Sequence, residues 1–239
     1  GGSQENHLSE YKMKIAVCSD IHLEFGPITL ENPGDVDVLV LSGDICVVAD
    51  MREPDMYGIM STEKTDRVWD FFRTCSENFP HVVYVVGNHE HYHYDFKYTI
   101  KDLKKRLAIY PNVHLLDKEV FDVGDYRFIG GTLWTDMNKE DPITLHAMST
   151  MMNDFRIVKN SNRQVYRKVP VYEYDANASL VRDESGKPNQ IGMKMKEETA
   201  KFSPEDAVEE HRKCLEYIKF VCEETPPWKS VVVVGHHTP

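Results

Sequence analysis

The chain has 239 residues, 28 Lys and Arg against 39 Asp and Glu, a formal net charge of -11, and 41% hydrophobic residues. That is enough for one large α/β domain with a buried core, and it excludes a disordered chain. The acidic balance argues against loose, charge-driven attachment to nucleic acid or anionic lipid. The longest apolar runs fall far short of the roughly 20 residues that span a bilayer.

Nothing at the start marks the chain for secretion. Gly1-Gly2-Ser3 reads as an expression scar, residues 1–12 as a tag or disordered leader, and Met13 as the initiator. The cysteines are Cys18, Cys46, Cys75, Cys214 and Cys222, an odd number with no C-x-x-C pair. Cys18 and Cys46 sit in apolar runs and read as buried small hydrophobes, so a reducing cytoplasm is the expected location.

From Lys14 onward short apolar runs alternate with amphipathic stretches. Ile15-Ala16-Val17-Cys18 ends at Ser19-Asp20, and Val36 to Leu41 ends at Ser42-Gly43-Asp44. Thr62 to Asn78 carries Val68, Phe71, Phe72 and Cys75 at helical spacing. Val82 to Val86 stops at Gly87-Asn88-His89-Glu90, and Tyr98 to Ile109 aligns Ile100, Leu103 and Leu107 on one stripe. Runs apolar on both faces and separated by helices are what a sheet covered on both sides requires.

After Pro111 the runs shorten. Val113 to Leu116, Glu119 to Val123 and Tyr126 to Thr132 read as strands, with a tight hairpin at Gly124-Asp125. Ser203-Pro204-Glu205-Asp206 combines a capping residue, proline at the first helical position and acid in the first turn. The helix it opens is predicted to reach about Glu223, and Pro226-Pro227 stops it. A last strand, Val231 to Val234, ends at Gly235-His236-His237-Thr238-Pro239.

The stretch 156–201 stands apart. It holds ten basic and six acidic residues, a net +4, which leaves the rest of the chain at -15. Only short alternation, as in Val169 to Tyr174, hints at a strand or hairpin there. It reads either as a solvated excursion or as a basic insertion or lid over a phosphate-handling site.

The chemistry gathers at strand ends. Asp20-Ile21-His22 follows the first strand, Gly43-Asp44 the second, Gly87-Asn88-His89-Glu90 the third, and His236-His237 the last. In a mostly parallel sheet these ends converge on one edge, where open α/β folds place ligands. Carboxylate, imidazole and amide oxygen are donors of intermediate hardness, suited to Mn, Fe or Zn. An aspartate shared between two ions would hold them at the spacing of two-metal hydrolases.

In this order, Asp20-x-His22, Gly43-Asp44, Gly87-Asn88-His89-Glu90 and a strand-terminal His-x-Pro resemble the calcineurin-like metallophosphoesterase superfamily. The likeness runs from Met13 to Pro239. Gly131 to Thr135, Met152 to Arg156 and Ser203 to His211 resemble a bacterial and phage branch of mostly unassigned substrate. The resemblance implies a four-layer α/β/β/α sandwich with two mixed β-sheets flanked by helices. It also implies two divalent or trivalent metal ions, manganese first, with iron or zinc as alternatives.

Carried over residue by residue, Asp20 and His22 hold the first metal, Asp44 bridges, and Asn88 and a histidine of the last strand hold the second. His237, two before Pro239, is preferred to His236. His89 is then no ligand. It faces the phosphate, stabilising the transition state or protonating the leaving oxygen, while a metal-bridging hydroxide attacks.

Two features depart from the family pattern. The family often has an acid three residues after the bridging aspartate, but Val47 stands there, which leaves His89 without an assigned acidic partner. The Gly-His-x-His motif that closes the family's site has no counterpart before Pro239. The expectation is a C-terminally truncated domain that binds metal weakly.

Other residues are left outside the site. His91 and His93 read as solvent-facing or supporting histidines, Tyr92 as packing and Trp134 as core. Asn153, Asp154 and Arg156 read equally well as a helix-end polar cluster or a site rim. His114, His146 and His211 read as ordinary histidines.

The leading expectation is a dinuclear metal-dependent phosphoesterase acting on small phosphomonoesters or phosphodiesters. A nuclease, motivated by the basic 156–201 stretch, is the alternative, and a catalytically silent binding module is the rival from another class. No membrane partner is expected, and the sequence leaves substrate and oligomeric state open.

Overall fold

The structure, a computed structural model, describes residues 12–52 and 62–237. The 1–12 leader lies almost wholly outside these residues, as do Thr238 and Pro239 of the His-x-Pro motif. The amino-terminal half forms a four-stranded sheet of β1 (Ile15–Cys18), β2 (Val38–Ser42), β3 (His81–Val85) and β4 (Val113–Leu115), in that order and all parallel. Helix α1 (Glu63–Asn78) links β2 to β3, and α2 (Phe96–Leu107) links β3 to β4. Thr62 caps α1 by accepting from the Thr65 N–H at 3.1 Å, and Asp95 caps α2 through the Lys97 N–H.

The period-two alternation of these strands divides the core. Leu39, Leu41, Val82 and Tyr84 face the helices, where they join Val68, Phe71, Phe72, Cys75, Leu103 and Leu107. Val38, Val40, Val83 and Val85 point the other way, onto Leu116 just after β4 and onto Phe128 and Val234 of a second sheet. That sheet contains β5 (Glu119–Val123), β6 (Tyr126–Gly130) and β9 (Ser230–Val234). β5 and β6 are an antiparallel hairpin turning at Gly124, while β9 runs parallel to β6. Of the two mixed sheets expected, the described strands therefore make one parallel and one mixed. Cys46 is buried as expected, but Cys18, near the end of an edge strand, is only partly covered, and all five cysteines are free thiols.

Helices α3 (Pro142–Met151), α4 (Asp154–Ile157) and α5 (Pro204–Glu224) lie between β6 and β9 in the chain. At the start of α5, Ser203 and Asp206 form a reciprocal capping box. Trp134, Phe155, Phe202 and Val208 build a third apolar cluster, so Trp134 is core, as its sequence context suggests. Between α4 and α5 the 156–201 stretch becomes one long antiparallel hairpin, β7 (Lys159–Tyr172) and β8 (Gln190–Lys201). The hairpin is rooted where Asp95 accepts from the Ser161 N–H at 3.1 Å, and most of its length is exposed on both faces. Solvent on both faces removes the apolar alternation that would reveal so long a strand pair in the sequence.

Candidate metal centre

All four parallel strands point their carboxyl ends at one edge, and parallel β9 brings a fifth strand end to the same place. The loop after β1 lies along the loop after β2. The N–H groups of Asp20, His22 and Leu23 donate to the carbonyls of Gly43, Asp44 and Ile45 at 3.0, 3.0 and 2.9 Å. The loop after β9 is tied in through Ser42, whose hydroxyl donates to the Gly235 carbonyl.

Four of the candidate ligands sit on left-handed backbone. The φ angles are 53° at Asp20, 51° at His22, 55° at Asp44 and 70° at His237. Such angles are uncommon outside glycine and cluster where tertiary structure holds a side chain at a functional position. Two glycines keep the space clear. A Cβ on Gly43, itself at φ 83°, would strike the His236 ring, and one on Gly87 would strike the Asp44 carboxylate.

Asp44 is the centre of the arrangement. Its side chain is 7% exposed, with His22 Nε2 at 3.9 Å, His89 Nε2 at 3.9 Å and His236 Nε2 at 3.4 Å. The His89 N–H donates to its Oδ1 at 2.9 Å. Burial alone would raise the Asp44 pKa, but His236 and the His89 N–H outweigh it and hold the carboxyl below its ordinary value. Asp20, more exposed, stands 4.0 Å from His22 Nε2. Two groups capable of holding a cation share Asp44: His22, Asp44 and His89, and Asp20, Asp44 and His236.

Asn88 and His237 form the other side. Asn88 Nδ2 donates to the Tyr92 hydroxyl at 3.3 Å, and that hydroxyl donates to buried Asp154 at 3.0 Å. The amide is thereby turned so that Oδ1 faces His237 Nε2 across 3.1 Å. Both histidines of the last strand thus reach the site, His237 against Asn88 and His236 against Asp44. His236 Nδ1 donates to the Ser42 carbonyl at 2.8 Å, which turns its Nε2 toward Asp44. Burial disfavours charge on both rings, yet Asp44 and the Ser42 carbonyl lift His236 to about 9. His237, buried beside His236, falls to about 4.

Sequence reasoning assigned no role to three side chains that organise this edge. Glu90 is fully buried. It accepts from the N–H groups of Gly87 at 2.7 Å, Ile45 at 2.8 Å and Asp44 at 3.1 Å, and from the Tyr84 hydroxyl at 2.6 Å. Burial and the Asp44 charge nonetheless raise its pKa. Tyr92, read as packing, orients the Asn88 amide and also stacks on the His89 ring at 4.2 Å. Glu24 accepts from Nδ1 of both His22 and His89, at 3.2 and 3.0 Å. Burial pushes the Glu24 carboxyl up, but these bonds and its own backbone N–H bring it below the ordinary value. Burial likewise opposes charge on His89, while Glu24 and Asp44 raise its pKa. The one sequence signal for Glu24 is its alternation with Asp20 and His22 along a single loop.

Of the two places left open for His91, solvent-facing or supporting, its burial excludes the first. The tight turn at His89–His91 rotates its ring inward, against Phe96 at 4.8 Å and Trp134 at 6.0 Å, rather than to solvent. His93 is exposed, as expected. Asp154 is buried and linked to Asn88 through Tyr92, whereas the Arg156 guanidinium donates to Asn153 Oδ1 at the helix end.

The donors fit divalent cations. Carboxylate, amide oxygen and imidazole nitrogen converge, the central carboxylate is shielded from water, and the His237 Nε2–H that donates to Asn88 Oδ1 would give up its hydrogen to bind an ion. Among the described residues no helix is long and apolar enough to cross a membrane.

The sequence model of the calcineurin-like phosphoesterases matches residues 13–237, which include Asp20, His22, Asp44, Asn88, His89, His236 and His237. An uncharacterized protein of Acanthamoeba polyphaga mimivirus is 28% identical over 174 residues, covering 66% of this chain and 56% of that protein. The chain thus spans about half the length of that relative. Among solved structures, the phosphopantetheinyl hydrolase of Mycobacterium tuberculosis superposes with a TM-score of 0.50 at 14% identity. The match covers 94% of this chain and 68% of the other, and is a likeness of fold.

Proposed function

Because the chain belongs to the calcineurin-like phosphoesterase family, we propose that it is a metal-dependent phosphoesterase that uses two cations on small phosphomonoesters or phosphodiesters. The observation that carries this reading is Asp44, a sheltered carboxylate with Nε2 of His22, His89 and His236 within 3.9 Å, while the loops after β3 and β9 pair Asn88 with His237. Asp20, His22 and Asp44 would hold one ion, and Asp44, Asn88 and His237 the other, with His236 beside Asp44 as a competing donor. Bound divalent ions, manganese first, supply electrophilic stabilisation of phosphoryl oxygens and lower the pKa of water.

The chain's own residues do the rest. His89 presents Nε2 to the site while Glu24 holds its other nitrogen. From there it donates a hydrogen bond to a phosphoryl oxygen or a proton to the departing alkoxide. The strained, cross-linked loops hold the donors in place before substrate arrives, so little reorganisation accompanies reaction.

The test is hydrolysis of p-nitrophenyl phosphate and its bis ester by full-length protein, after chelation and Mn²⁺ add-back, beside His89→Ala. Metal-dependent turnover lost in the variant supports the reading. Stoichiometric Mn²⁺ binding without turnover of either ester or of nucleotides overturns it. The exposed basic hairpin β7–β8 favours a second reading, a nuclease, which requires oligonucleotide hydrolysis that falls steeply with added salt.

A further inference from the structure

Glu24 stands on the loop after β1, with its side chain 8% exposed. The backbone just before it is fixed through both groups of Leu23. Leu23 donates to the Ile45 carbonyl at 2.9 Å, and the Arg67 guanidinium donates to the Leu23 carbonyl at 2.7 Å. One oxygen, Oε1, meets Nδ1 of His22 at 3.2 Å and Nδ1 of His89 at 3.0 Å, while Oε2 has no hydrogen-bond partner among the described residues. The two rings lie edge to face with centroids 4.4 Å apart.

We propose that Glu24 is a single positioning residue for both histidines, fixing His22 as a metal donor and His89 as the phosphate-facing group. A carboxylate can only accept, so each Nδ1 carries the hydrogen and each Nε2 is directed inward, 3.9 Å from Asp44 Oδ2 in both cases. For His22 that leaves the Nε2 lone pair for an ion. For His89 it sets the ring's direction and leaves Nε2 to exchange a proton with substrate. A carboxylate behind a ligating imidazole fixes tautomer and ring orientation, and its loss typically costs about 10–100-fold in metal affinity or activity. Here one oxygen serves two rings with different tasks, so cation binding and chemistry share one support. The acid missing at Val47 is supplied by a residue 65 positions before His89.

This inference rests on the phosphoesterase reading for the task of His89, but its test does not. Long-range ¹H–¹⁵N correlation spectra of the folded wild-type protein report which ring nitrogen of each histidine carries hydrogen. The expected result is the Nδ1–H form at His22 and His89, and the Nε2–H form at both overturns the proposal without any variant. In Glu24→Gln a neutral amide oxygen replaces the charged acceptor of both rings, so each N–H···O bond weakens. A mixed tautomer population and an Mn²⁺ dissociation constant raised about 10–100-fold by calorimetry are expected. Glu24→Asp retains the charge and restores part of the loss. Unchanged tautomers, with Mn²⁺ affinity within about twofold of wild type, overturn the proposal. Where esters are turned over at saturating Mn²⁺, kcat falls in Glu24→Gln with KM little changed, and adding Glu24→Gln to His89→Ala costs little more. Failure of every ester to react removes the phosphoesterase reading while the spectra and calorimetry still decide the role of Glu24.

Discussion

The buried carboxylate of Glu90 accepts a hydrogen bond from the backbone N–H of Asp44 at 3.1 Å, so the loop after β3 holds the backbone of the central residue of the site. Its other bonds, to Ile45, Gly87 and Tyr84, make the same side chain the knot between β2 and β3 at their carboxyl ends. Four donors converge on two oxygens, a pattern only a carboxylate satisfies.

Glu90→Gln turns an amide NH₂ toward N–H donors. A buried donor left facing donors costs about 1–3 kcal/mol, and losing the charge adds to it. Urea unfolding is expected to show a loss of about 3 kcal/mol, with weaker Mn²⁺ binding as Asp44 shifts. An unchanged midpoint would show that these bonds contribute nothing net.

Gly87→Ala tests the clearance beside Asp44. The added methyl meets the Asp44 carboxylate and its N–H, so one of the two must move. Overpacking of this kind costs about 1–3 kcal/mol. The expected outcome is a cooperative fold by calorimetry and at least tenfold weaker Mn²⁺ binding. Wild-type affinity would mean that the Asp44 carboxylate is not confined.

Tyr92→Phe keeps the stack on His89 but removes the hydroxyl between Asn88 and Asp154. Asn88 is then free to rotate, and Asp154 loses a donor in a place where burial already raises its pKa. We expect about 1–2 kcal/mol of destabilisation. Binding of the second Mn²⁺ equivalent should weaken more than the first. Equal weakening of both would argue against a specific link to Asn88.

His91 gives a pH signature. Burial lowers its pKa to about 3, whereas the unfolded chain titrates near its ordinary 6.5. Between those values the unfolded state binds more protons, so stability rises with pH and is lost as pH falls below 6.5. At pH 5 the loss from this ring is about 2 kcal/mol. In His91→Phe, urea denaturation of chelated protein should lose that share of the slope between pH 7 and 5. Identical slopes in the two proteins would rule out a buried neutral His91.

Much of this architecture was legible along the chain because short-range physics writes it there. The apolar runs at 15–18, 82–86 and 231–234 all mark strands, but only 82–86 is buried on both faces, since Val17, Val231 and Val233 are exposed. Val68, Phe71, Phe72 and Cys75 mark one helix, and Ser203 with Asp206 marks the start of another. The metal-type side chains could be picked out because each follows a strand, and their strand ends meet on one edge once the sheet is parallel. The long hairpin at 159–201 was only hinted at, by the short alternation from Val169 to Tyr174, because most of its length is exposed on both faces.

What the sequence by itself determined is the fold class, the family and the inventory of donors. Only the tertiary structure decided how those donors are held. Glu24 reaches His89 across 65 positions and Tyr92 reaches Asp154 across 62, and no periodicity records contacts at that range. The pairings of Glu90 with Asp44 and of His237 with Asn88 likewise exist only once parallel strands bring their ends together. Residue type is local chemistry, whereas the direction of a lone pair is set by whatever stands behind the ring or amide, and the folded chain alone places that group.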